Sequence, residues 1–161
     1  MKVGLIGLGR MGEGMSRRML KAGIEVWGYR RNYKKAEEAF EKGYVSGVST
    51  DLENLVKIVK STKSIYGEKS GETVYIKTPG IFQLVIPAEL VEDTLNELLP
   101  LLGDGDIIID HGNSNFKDSR RRAERLAKLG IQFIDCGTSG GVYGLERGYC
   151  LMVGGANTAV S

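Results

Sequence analysis

The residues Gly7-Leu8-Gly9-Arg10-Met11-Gly12 have the spacing Gly-x-Gly-x-x-Gly. They follow directly on the apolar run Lys2–Ile6 and open a pattern in which Met11, Met15 and Met19 recur every four residues. In such a strand-to-helix turn each glycine has its own task. The first allows a tight reversal, the second lets the backbone approach a pyrophosphate with no Cβ in the way, and the third lets the helix pack closely on the strand. The helix N-terminus then offers unpaired N–H groups and a partial positive charge to the phosphates. The motif in this position points to a dinucleotide site, against the alternative of a glycine-rich turn that holds no ligand.

A second cluster bears on which dinucleotide is held. Sites for an unphosphorylated ribose place Asp or Glu about twenty residues beyond the glycines, at the end of the second strand. Here that position reads Tyr29-Arg30-Arg31-Asn32. A carboxylate would repel a 2′-phosphate, whereas a guanidinium grips one through charge-assisted, often bidentate hydrogen bonds. The cofactor inferred is NADP, with Arg31 the stronger candidate of the two arginines, and NAD the alternative. One or both arginines could instead be solvated charges that run on through Lys34 and Lys35 into a basic helix start.

Two further loops follow apolar strands, where ligands sit in open parallel sheets. In Asp110-His111-Gly112-Asn113-Ser114, Asn113 can donate and accept at once and so suits a nicotinamide amide or a substrate hydroxyl; it could equally form an Asx-turn that caps the next helix. His111 could act as a general base or be structural. In Cys136-Gly137-Thr138-Ser139-Gly140-Gly141, backbone N–H groups and the hydroxyls of Thr138 and Ser139 could cradle an anionic group. Ser139 lacks a visible histidine–acid pair and reads as a binding residue, not a nucleophile. Arg120, Arg121 and Arg122 point in different directions on a helix and read as solvated.

The elements that must position these residues alternate short apolar runs with helical periodicity, which predicts an α/β, Rossmann-like, doubly wound and mainly parallel sheet in one domain over residues 1–161. Predicted strands are Lys2–Ile6, Ile24–Tyr29, Ile81–Ile86, Asp106–Asp110, Ile131–Asp135 and Cys150–Val153. Helices are expected around Ala36, Ala39 and Phe40, around Leu52 to Val59, and from Leu90 to Leu99, where Pro100 ends or kinks the last. Thr50-Asp51-Leu52-Glu53 reads as a capping box. The stretch Ser61–Gly80 is long for a connector and predicts a surface loop, a small hairpin with Thr73–Ile76 as an edge strand, or local disorder.

With 42% hydrophobic and 26% charged residues and a net charge of +2, the chain has neither the charge of a nucleic-acid binder nor that of a membrane-surface binder. No apolar run approaches membrane-spanning length, and Met1 leads straight into the first strand without a signal-peptide leader. Cys136, Cys150 and the single histidine supply no zinc-ligand set, so no metal is expected and a reduced, cytoplasmic chain is inferred.

Over nearly its whole length the chain resembles the decarboxylating 6-phosphogluconate dehydrogenase family. The blocks Ile107–Arg122, IIIDHGNSNFKDSRRR, and Ile134–Gly155, IDCGTSGGVYGLERGYCLMVGG, look like that family's strand–GGNS–helix segment and its SGG substrate loop. The resemblance implies that Gly7, Leu8, Gly9, Arg10, Met11 and Gly12 bind the pyrophosphate. Arg30, Arg31 and Asn32 would take the 2′-phosphate, and Ile86, Pro87 and Ala88 the nicotinamide side. Asn113 would touch cofactor and substrate, and Ser139, Gly140 and Gly141 would hold the substrate, a phosphorylated sugar acid. It further implies oxidation of 6-phosphogluconate by NADP and decarboxylation to ribulose 5-phosphate, in gluconate metabolism and the pentose phosphate pathway, by a homo-oligomer in its full-length form. The family's catalytic lysine and glutamate are expected beyond Ser161, which leaves this chain alone inactive. His111 in place of a glycine, Pro87 in place of a frequent lysine, and Val142 and Tyr143 after SGG resemble the family's shorter branch, some members of which use NAD. A related 3-hydroxyacid dehydrogenase domain and a non-catalytic NADP-binding module are the alternative readings.

Overall fold

The computed structural model describes residues 1–61, 63–66, 73–76 and 78–156. The chain runs β1 (Lys2–Ile6), α1 (Arg10–Lys21), β2 (Glu25–Tyr29), α2 (Tyr33–Glu41), β3 (Gly47–Ser49) and α3 (Leu52–Val59). It continues through β4 (Lys63–Tyr66), β5 (Thr73–Ile76), β6 (Ile81–Leu84), α4 (Ala88–Leu98) and β7 (Ile107–Asp110). The last elements are α5 (Phe116–Ala127), β8 (Gln132–Ser139), α6 (Gly144–Arg147) and β9 (Cys150–Gly155). Seven strands form one sheet in the order β3-β2-β1-β6-β7-β8-β9. All neighbours are parallel except β9, which runs antiparallel to β8. This is the Rossmann-like, mainly parallel α/β sheet that the alternating runs predict.

Strands covered on both faces need apolar residues at successive positions, and β1 shows why. Val3 and Leu5 pack with Ala36, Ala39 and Leu8 on the side of α1 and α2, while Ile6 joins Leu55, Val91, Leu95 and Leu126 on the side of α3, α4 and α5. Ser49 Oγ donates to Asp51 O at 2.7 Å, and Asp51 caps α3 by accepting from Asn54 N at 2.7 Å. Thr50, the predicted cap, instead donates its hydroxyl to Asp51 Oδ2 at 2.9 Å; the carboxylate wins the position because it is the stronger acceptor for an N–H. As expected, α4 stops ahead of Pro100, and a 3₁₀ turn, Leu99–Leu101, follows it.

Within Ser61–Gly80, β4 and β5 pair antiparallel as a separate two-stranded sheet, in agreement with the expected small hairpin. Three residues of β3 went unpredicted, being too few for a period. Among the described residues no helix is long and apolar enough to cross a membrane.

The entry ends of β6 and β7 are fixed by one carboxylate. Asp106, 1% exposed, accepts Gly80 N through Oδ1 at 2.8 Å and Gly103 N through Oδ2 at 2.8 Å, and Lys60 Nζ from the end of α3 lies 2.5 Å from Oδ2. Removing it strands one buried and one partly buried N–H group and an ammonium. We expect Asp106→Ala to cost about 3 kcal/mol, a fall of roughly 6–12 °C in Tm by scanning calorimetry; an unchanged Tm would show that water replaces the carboxylate at no cost.

Candidate functional site

The chain leaves β1 for one edge of the sheet and returns beside it as β6, so the carboxyl ends of these two strands diverge into a crevice. A cavity of about 320 Å³ lies there, with Gly7, Leu8 and Gly9 on one side, Arg30 and Arg31 at the end of β2, and Val85, Ile86 and Pro87 after β6. Gly7 has φ 106°, and a Cβ on it would overlap Val85 O. Such a conformation is open to glycine and strained for other residues. Gly12 touches Gly7 O so closely that no Cβ fits between them, which seats α1 on β1. A Cβ on Gly9, in contrast, would enter open space. Gly9 is also the N-cap of α1, with no side chain capping the first turn. Residues Arg10 and Met11 lie in that turn, and Ala88 opens α4 behind an equally uncapped Pro87. An open glycine cradle under a bare helix N-terminus fits a pyrophosphate.

The two arginines differ in their surroundings. Arg30 is half-buried and donates Nη1 to Leu8 O at 2.7 Å, tying the end of β2 to the glycine turn. Arg31 is exposed at the cavity edge, and among the described residues no carboxylate lies within salt-bridge distance of it. Asn32 caps α2, its Oδ1 accepting from Lys35 N at 3.3 Å. Leu52, Thr94 and Glu97 also line the cavity; they come from the flanking helices α3 and α4, and no local pattern marks them.

Beyond β7, Asp110 accepts Gly112 N through Oδ1 at 2.8 Å and the Ser114 hydroxyl through Oδ2 at 2.7 Å. The loop so folded places Asn113 at φ 53°, the one positive φ among described non-glycine residues. Asn113 reaches the end of β8, where Oδ1 accepts Thr138 N at 3.0 Å and Nδ2 donates to Thr138 O at 3.4 Å. One amide hydrogen and one lone pair remain for a ligand. The cap of α5 is Asn115, accepting Lys117 N at 2.9 Å, so Asn113 does not have that task. Ser139, Gly140 and Gly141 follow at the exposed tip of β8, with φ of 132° and 48° at the two glycines. The segment turns back through a 3₁₀ turn, Gly141–Tyr143, into α6, which Arg18 of α1 holds by donating Nη1 to Leu145 O at 3.1 Å.

Two expectations are corrected by the side-chain contacts. Arg122 is 4% exposed and ion-paired, not solvated, because α5 turns that one arginine of three toward the sheet. The Thr138 hydroxyl is buried and donates to Cys136 O at 3.0 Å, so it cannot donate to a ligand. Burial also pushes the Cys136 thiol up, against nucleophilic use.

His111 is 6% exposed, with Nδ1 2.8 Å from Thr138 Oγ1. With the Thr138 hydrogen directed to Cys136 O, Nδ1 carries the imidazole proton and Nε2 is left as an acceptor. Burial, opposed by the charge of Asp110, pushes its pKa down to about 4. Between about pH 6.5 and pH 4 the unfolded chain therefore binds a proton that the native chain does not, and stability falls as pH falls through that window, by about 3 kcal/mol at most. His111 is the sole histidine, so its ring proton resonance can be followed alone. We expect a native midpoint well below 6 by NMR, and a shallower loss of Tm on acidification in His111→Asn; a midpoint near 6.5 would mean a solvated ring.

The family model described as the NAD binding domain of 6-phosphogluconate dehydrogenase matches residues 2–161. The decarboxylating 6-phosphogluconate dehydrogenase of Candida albicans is 40% identical over 98% of this chain and 28% of its own length. The NAD(+)-dependent decarboxylating 6-phosphogluconate dehydrogenase of Haloferax volcanii is 36% identical over 99% of this chain and 46% of its own. Among solved structures, Plasmodium falciparum 6-phosphogluconate dehydrogenase, studied with its cofactor NADP+ and its substrate 6-phosphogluconate, superposes with a TM-score of 0.79. It is 28% identical over 99% of this chain and 32% of that one. The chain thus spans less than half the length of the curated relatives it matches. With its glycine turn, crevice and paired loops in the places described above, the chain belongs to the family of 6-phosphogluconate dehydrogenase NAD-binding domains.

Proposed function

We propose that this chain is the cofactor-holding part of an NADP-dependent, decarboxylating 6-phosphogluconate dehydrogenase. The observation that carries the reading is the exposed Arg31, without a carboxylate partner among the described residues, on the rim of a crevice whose other wall is the open glycine cradle. The cradle and the first turn of α1 hold the pyrophosphate, and Arg31 holds the 2′-phosphate. Ile86 and Pro87 flank the nicotinamide. Bound NADP+ supplies the hydride acceptor for oxidation of 6-phosphogluconate at C3, after which the substrate loses its carboxyl carbon as carbon dioxide and becomes ribulose 5-phosphate. Asn113 uses its remaining amide hydrogen and lone pair to orient the nicotinamide and a substrate hydroxyl. Ser139 and the backbone N–H groups of Gly140 and Gly141 bind the sugar acid. The protein works in the cytoplasm as part of a homo-oligomer.

Calorimetric titration with NADP+ and NAD+ tests the cofactor assignment. We expect a preference for NADP+ of about ten- to a hundredfold, the value of one charge-assisted contact, and its loss in Arg31→Ala. Arg30→Ala should instead weaken both dinucleotides alike, since Arg30 serves the shape of the turn and not the phosphate. A preference for NAD+, as the name of the Haloferax relative states for that protein, would overturn the role given to Arg31 and leave the crevice intact.

A further inference from the structure

We propose that Arg122 is a positioning residue for the cofactor: through Asp110 and Ser114 it sets the backbone of the loop that presents Asn113 to the nicotinamide. The inference rests on the reading of Asn113 given above.

The contacts lie beneath the loop, where Asp110 and Arg122 are both buried. Arg122 sits in the middle of α5 and is almost fully buried. Its Nη1 donates to Ser114 Oγ at 2.9 Å and lies 3.4 Å from Asp110 Oδ2. Ser114 passes its own hydrogen on to that same carboxylate oxygen, while the other Asp110 oxygen takes Gly112 N. The residues on both sides of Asn113 are thus tied to one carboxylate, and the carboxylate is tied to one guanidinium. The loop leans on the cofactor crevice as well, since a Cβ on Gly112 would come within 3.0 Å of Ile86 O. Ser114 has its donor committed within the protein, which marks it as a staple rather than a ligand-binding hydroxyl.

Arg122 is itself held. Its Nε donates to Glu92 Oε2 at 3.0 Å, and Glu92 Oε1 receives Arg125 Nη1 at 2.8 Å. Burial acts to raise the Glu92 carboxyl, but the Arg122 hydrogen bond and the charges of Arg125 and Arg122 outweigh it and keep it below its usual range. Glu92 stands on α4, the helix that begins at Pro87 and Ala88 beside the nicotinamide. The guanidinium therefore locks α4, α5 and the β7 loop to a common reference, in the planar fork geometry that lysine does not offer.

The test compares NADP+ with 2′-phospho-ADP-ribose, the same molecule without its nicotinamide, so that the difference in affinity reports the nicotinamide end alone. In the unaltered chain NADP+ should bind more tightly than the truncated probe, and Asn113→Ala should erase the difference. Arg122→Met should erase it too, with NADP+ weakened about tenfold and the truncated probe held within about twofold. Ser114→Ala, which removes the staple without burying an unpaired charge, should do the same in smaller measure, and it carries the test should Arg122→Met fail to fold. If both probes weaken together in the Arg122 and Ser114 variants, these residues merely support the fold and the inference falls. If Asn113→Ala erases the difference and neither other variant does, the inference falls and the reading of Asn113 stands. If Asn113→Ala leaves the difference in place, that reading falls and takes the inference with it.

Discussion

The close approach of three strand ends around Gly7 is the constraint on which the rest of the structure depends. Gly7 N donates to Tyr29 O at 3.0 Å, Val85 N donates to Ile6 O at 2.8 Å, and Val85 O occupies the place where a Gly7 Cβ would stand. The turn after β1 is therefore built of backbone against backbone. Any side chain would demand both a strained φ and a separation of β1 from β6, and α1 would lift off because Gly12 seats against the carbonyl of Gly7. The crevice is the space that this contact leaves open. Its existence follows from strand order, while its shape follows from the absence of three methyl groups.

The loop after β7 is held to the end of β8 in a different way, through side chains. Asp110 collects one backbone N–H and one hydroxyl, and Asn113 spans to both backbone groups of Thr138. Asparagine tolerates the left-handed conformation because its short amide can bond locally, so the cost of φ 53° at Asn113 is modest and is offset by its two bonds to Thr138. Side-chain ties can be removed one at a time, and this makes the second half of the site separable by mutation where the first half is not.

These two modes of construction explain what could be read from the residues alone. A turn made by glycine spacing writes itself into the chain, and so do strands whose two covered faces demand uninterrupted apolar runs; the fold and the place of the crevice beside Gly7 to Gly12 were legible for that reason. Side-chain networks leave weaker traces. Arg122 stands in a run of three arginines that looks uniformly solvated, and only the rotation of α5 against the sheet decides which one is buried. Arg30 and Arg31 are equivalent by type and are divided only by the carbonyl of Leu8. Thr94 and Glu97 line the crevice from α4, where no spacing along the chain sets them apart from their neighbours. The strand β3 is visible only through its partners, since Gly47 makes room for the Trp27 ring across the pair.

His111 shows how a buried polar side chain can serve the site at a cost to the fold. Its Nδ1 bond to Thr138 contributes about 0.5–1.5 kcal/mol, while the buried Nε2, which has no hydrogen-bond partner among the described residues, costs about 1–3 kcal/mol. The imidazole, however, adds a third link between the β7 loop and the end of β8 beside the two made by Asn113, and all three converge on Thr138. A loop tied by three bonds to the strand end that leads into Ser139 is held against that end. The residue proposed to face the nicotinamide and those proposed to face the sugar acid then keep a fixed separation, which is what transfer of a hydride between two bound molecules requires.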